Sequence, residues 1–156
     1  SYMKKIQNER AQDWIKLKDY IKKSAEARFY PSYESEFDVS VDSFDVTRVS
    51  MRLTRGGKRG EWQVIDTNPD GMAFVFFLDV ELTYVVKMSV KTYSNSDDVG
   101  RFISSHEVYG TWSNDIEVFG YLADAGGSSD YSLELGRING LNVSVDLGVL
   151  PPPQQA

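Results

Sequence analysis

Cysteine is absent from the 156-residue chain, and histidine occurs once, at His106. The first absence excludes disulfides, thiolate metal sites and cysteine nucleophiles. The second excludes multi-histidine metal sites and leaves one imidazole as a candidate general base. Proline is scarce outside Pro151-Pro152-Pro153, a run that cannot join a ladder and reads as an extended tail. No apolar run approaches the roughly 18 residues of a membrane span. Lys4 and Lys5 are followed by neither an apolar stretch nor a small-residue cleavage site, so no secretory signal is read and the cytoplasm is the expected compartment. Ser1-Tyr2 ahead of Met3 reads as a cloning remnant, which leaves Met3 as a native start or as the first residue of an excised fragment.

What is present is a chain with 41% hydrophobic and 13% aromatic residues, too rich for disorder and long enough to bury a core without a staple. The net charge of -6 hides an asymmetry: residues 1–28 hold eight Lys or Arg against four Asp or Glu, and the remainder nine against nineteen. A basic N-terminal segment thus precedes an acidic β region, which argues against extended wrapping of nucleic acid.

From Lys4 to about Arg28, Ile6, Trp14, Leu17, Ile21 and Ala25 fall on one helical face, predicting an amphipathic helix of about 24 residues that ends before Pro31. After Pro31 the period becomes 2. Phe37, Val39 and Val41 alternate with polar residues, as do Val49, Met51 and Leu53, with a bulge or bend expected over Ser43 to Asp45. Arg55-Gly56-Gly57-Lys58 signals a tight turn and Glu61 to Ile65 a returning strand. Asn68-Pro69-Asp70-Gly71 is a second turn, glycine being able to close it with positive φ. From Met72 to Thr92 every even position through Val90 is apolar, so a long strand is predicted whose inward face a one-residue slip would expose. Phe102 to Tyr109, Thr111 to Leu122, Tyr131 to Gly136 and Asn142 to Leu147 are read as shorter strands. No repeat or internal linker divides the chain, which is organised as helix 1–30, β-rich region 31–150 and tail 151–156.

Several constellations are candidates for chemistry. Asp66 to Gly71 matches the first half of a calcium loop, but Phe77 stands where the bidentate glutamate is needed, and a plain turn is expected. His106 with Ser104 or Ser105 and Asp97 or Asp98 makes a triad on paper. Neighbours in a strand point to opposite faces and no nucleophile elbow is present, so a solvent-facing strand histidine is expected. Asp97-Asp98 and the loop Asp124 to Asp130 offer paired carboxylates, which in an acidic chain are expected to be solvated. Arg48, Arg52, Arg55, Lys58 and Arg59 place five cations in twelve residues without an acid. They are read as a basic hairpin that contacts anions or guards a sheet edge. No cofactor or metal ligand set is found.

The pattern of Phe37 to Val41, the alternating strand Phe74 to Val90, the polar loop Tyr93 to Asp98 and the later strands resembles a β-rich C-terminal domain that follows PIN-like nuclease domains in some bacterial proteins. The resemblance covers about residues 35–148 and lies in strand order. PIN-like catalysis uses acidic residues on an α/β fold, and this chain has no βαβ pattern, so no catalytic residue carries over.

The expected fold is α+β: an N-terminal amphipathic helix on a curved, mainly antiparallel sheet, either a sandwich or a partly open barrel. The expected function is a non-catalytic binding or interaction domain for a protein partner or small ligand, with no membrane and an unassigned oligomeric state. The alternatives are a small enzyme using loop carboxylates and His106, and a nucleic-acid accessory module making weak contacts through residues 48–59.

Overall fold

The computed structural model describes residues 6, 8–54, 62–92, 103–124 and 131–153. One helix, α1 (Gln12–Glu26), packs on a mostly antiparallel sheet. The strands are β1 (Phe29–Glu34), β2 (Asp38–Leu53), β3 (Trp62–Asn68), β4 (Gly71–Lys91), β5 (Ile103–Asp124), β6 (Tyr131–Asn139) and β7 (Val143–Val149). Five of them form one sheet in the order β2-β4-β5-β6, with β3 also on β4; β1 and β7 make a separate parallel pair, and the described strands close no barrel. The chain is α+β, as its periodicity predicts. No described helix is long and apolar enough to cross a membrane.

The chain divides into two compact units, and β2, β4 and β5 give a segment to each. The first comprises Ser1–Ser24, Val49–Glu81 and Ser113–Leu141; the second comprises Ala25–Arg48, Leu82–Trp112 and Asn142–Ala156.

In the first unit Trp14, Leu17 and Ile21 are buried with Phe74, Phe76, Leu78, Ile116, Val118 and Leu122. The helix is shorter than the apolar stripe predicts, spanning 15 residues from Gln12. The side chain of Asn8 accepts from Arg10 N at 3.1 Å and its carbonyl from Ala11 N at 2.8 Å. This local turn competes with helix, as asparagine does wherever its side chain reaches nearby peptide groups. α1 also covers the outer edge of β6: Lys16 Nζ donates to the Leu133 carbonyl, and the Tyr20 hydroxyl donates to Gly136 O at 2.5 Å.

β3 pairs antiparallel with β4, from Trp62 opposite Phe76 to Asn68 opposite Gly71. The end of β2 lies on β4 too, where Thr54 N donates to Phe77 O at 2.9 Å. β2 and β3 are therefore successive segments along β4, and the expected hairpin between 49–53 and 61–65 is not formed. At 21 residues β4 offers a longer edge than β2 covers, and pairing there sets Trp62 edge-on to Phe74, with ring centres 5.8 Å apart. The residues of that connection, 55–61, lie outside the described ones.

In the second unit Phe29 stacks on Phe44 at 4.0 Å and Phe44 tilts against Tyr84 at 5.4 Å. β5 continues through Gly110 as one 22-residue strand, where two were expected. Gly110 is not a break but a clearance, because a Cβ there would lie 2.4 Å from the Tyr84 hydroxyl. β1, which the sequence pattern does not announce, includes Pro31 and pairs Phe29 with Val143. Glu26, at the last residue of α1, accepts from Val46 N at 3.0 Å.

Candidate functional site

Alternation that buries the even positions of β4 from Phe74 to Val90 leaves odd positions such as Asp79 and Glu81 on the other face. In the first unit this places Asp79 beside Arg52 of β2 and Asp115 of β5. Arg52 Nε and Nη2 each lie 2.9 Å from Asp79 Oδ2, and Asp79 and Asp115 share a side-chain hydrogen bond. Two residues further along each strand, Ser50, Glu81 and Ser113 make a second row. The two rows line an open depression of about 590 Å³, with Asn114 at its side. Asn114 Nδ2 donates to Gly140 O at 3.0 Å, which fixes the end of β5 to the chain leaving β6.

The electrostatics follow from this contact between the carboxyls. Hydrogen bonding from Asp115, then from Arg52, holds the Asp79 carboxyl below the ordinary carboxylate range. The hydrogen bond to Asp79 and the repulsion of its charge push Asp115 above that range, against a smaller opposing pull from Arg52. Of the two, Asp79 therefore ionises first as pH rises and Asp115 second. Both face solvent, and among the described residues no group of three or more His, Cys, Asp or Glu is placed to hold a metal ion.

The residues singled out from the sequence fare unevenly. Arg52 belongs to this face, tied to Asp79. Arg48 is exposed on the part of β2 that belongs to the second unit, and Arg55, Lys58 and Arg59 lie outside the described residues. His106 is not solvent-facing as expected: it is half-buried, and its Nε2 is buried without a hydrogen-bond partner. Ser104 shares its half-buried side, Ser105 faces the other way, and the neighbouring Glu107 accepts from the Tyr109 hydroxyl at 2.6 Å. Asp97, Asp98 and 125–130 lie outside the described residues.

Within residues 66–71 the chain turns at Pro69 and Asp70, between the last residues of β3 and the first of β4. Asn68 Oδ1 accepts from Asp70 N at 2.9 Å and from the Tyr121 hydroxyl at 3.1 Å. Gly71 does not have the positive φ expected of it; glycine is required because a Cβ would lie 2.1 Å from Leu122 O.

Sequence reasoning missed Asp79 and Asp115. They stand 36 positions apart, inside strands, and only the β4–β5 register joins them; a charge at an outward position of a strongly alternating strand was the available signal. The architecture and this face define an α+β protein with a polar patch spanning three strands. No protein-family model, curated protein or solved structure matches the chain.

Proposed function

We propose that the chain is a non-catalytic binding domain whose ligand surface is the outward face of β2, β4 and β5 in the first unit. The observation that carries this reading is the pair of cross-strand rows, which gathers three carboxyl groups, one guanidinium and several neutral donors and acceptors over an open depression. The balance of charge there is acidic, so the ligand class is a cationic group, an amine or guanidinium, on a peptide or small molecule. Such an exposed site provides contact and steering and lacks the exclusion of water that catalysis by a carboxyl pair exploits.

A basic peptide titrated into isotope-labelled protein tests this. Carboxyl signals of Asp79, Glu81 and Asp115 should move saturably, and Glu81→Gln with Asp115→Asn should abolish the shifts. Shifts confined to other residues would sink the reading.

A second reading, a carboxylate enzyme, is favoured by one feature: two adjacent carboxyls shifted in opposite directions are the parts of an acid-base pair. In this reading Asp115 donates the proton, in place of the loop carboxylates and His106 first considered. A weak nucleic-acid contact has less support at Arg52, whose charge Asp79 already meets. An accessory role beside a separate catalytic domain, which the strand-order resemblance implies, is consistent with a binding face.

A further inference from the structure

Three of the described strands carry some protection along an edge. Lys16 and Tyr20 cap carbonyls of β6, Glu26 caps Val46 on β2, and the register of β3 shifts between Val64 and Asp66. The stretch 103–112 of β5 differs. β6 pairs with β5 only from Glu117 to Asp124, so on the side away from β4 no described strand pairs with 103–112.

Odd-numbered peptide groups of β5 point to that side. The carbonyl of Phe119 lies beside Gly136 of β6, and that of Leu122 beside Gly71 of β4. Strand alternation carries the same sense back to Ser105, Glu107, Tyr109 and Thr111. The stretch contains no proline, lysine or arginine, and its exposure alternates without interruption. These are the features that natural edges avoid. On the same strand Ile103 and Tyr109 are 60% and 70% exposed.

We infer that this edge pairs antiparallel with the same edge of a second copy, about a two-fold axis at Val108. That axis sets Ser105 opposite Thr111 and Glu107 opposite Tyr109, pairs whose facing peptide groups exchange roughly eight hydrogen bonds. Two hydroxyls meet in the first pair. In the second, the one acidic residue of the stretch meets a phenol, the group it already accepts from within its own chain. An axis at Glu107 would instead oppose two carboxylates. The strand is thus complementary to itself, which favours a second copy over an unrelated extended peptide. Each copy carries a net charge of -6, so added salt strengthens this association, whereas it weakens capture of a basic peptide.

Sedimentation velocity on the full chain from about 1 to 300 µM, at two salt concentrations, reads the equilibrium. Expected is a dimer that tightens with salt and that weakens at least about tenfold in Tyr109→Lys and in Ser105→Pro, which removes an outward N–H. Amide exchange on the unmodified chain gives an independent reading, since the amides of Glu107, Tyr109 and Thr111 should gain protection as concentration rises. A chain monomeric throughout, folded variants that dimerise like the parent, or amides that exchange at one rate at every concentration would each overturn the inference.

Discussion

At the scale of single residues, the carboxyl pair sets a pH dependence of definite sign. Asp79 is lowered, so its contribution to stability is present above the ordinary carboxylate value and is lost as pH falls through its folded value. Asp115 is raised, so its contribution is present at low pH and is lost as pH rises through its folded value. The pair therefore stabilises most between the two, with Asp79 ionised and Asp115 protonated. Asp115→Asn keeps a donor toward Asp79 and never ionises. Thermal melts from about pH 4 to 7 should show the variant gaining on the parent as pH rises. A variant that loses ground over that range would mean that Asp79 does not raise Asp115. Gly71 supports a second prediction at this scale. The Cβ of Gly71→Ala meets the backbone oxygen of Leu122, which cannot swing away as a side chain can, so the variant should lose about 1 to 3 kcal/mol in urea denaturation.

At the scale of elements, α1 is held by an apolar stripe and by polar groups that reach strand edges. Leu17 is fully buried, and Leu17→Ala should cost about 2 to 5 kcal/mol in thermal melts; a loss under about half a kcal/mol would make the helix peripheral. Glu26→Ala leaves the buried Val46 without its side-chain acceptor and should cost about 1 to 3 kcal/mol. How legible each element was depended on whether its residues spoke with one periodicity. β4 was legible because every even position from Phe74 to Val90 is buried. α1 was legible as a face, but not in its start, since Asn8 breaks the helix without breaking the stripe. Gly110 misled because its signal is identical for a turn and for clearance beneath Tyr84. The partner of β3 was illegible: pairing with β2 or β4 satisfies the same alternation, and only the length of β4 decides. The carboxyl pair was hidden likewise, because register lies in no local pattern; of the two described members of the basic cluster, Arg52 joins the site and Arg48 does not.

At the scale of the whole molecule, charge decides the response to salt. The region after residue 28 carries nine cations against nineteen acids, so self-repulsion opposes its compact form. Ion pairs offset this, and salt weakens them too, so the sign of the net effect depends on their strength. Lys23 and Asp19 sit at 2.9 Å but are 73% and 55% exposed, and Lys91 and Asp38 are 3.8 Å apart with about half of each side chain in water. Pairs of that kind contribute roughly 0 to 1 kcal/mol each. Arg52 and Asp79 are better formed, with both nitrogens on one oxygen, yet Arg52 is 81% exposed. Repulsion, acting over a Debye length of about 30 Å at 10 mM salt and 8 Å at 150 mM, is the term that screening removes most. The melting temperature at pH 7 should therefore rise as sodium chloride is added over that range, measured at low concentration where the chain is monomeric. A fall would show that exposed pairs such as these outweigh the acidic excess, and Arg52→Ala should then remove a large part of the salt dependence.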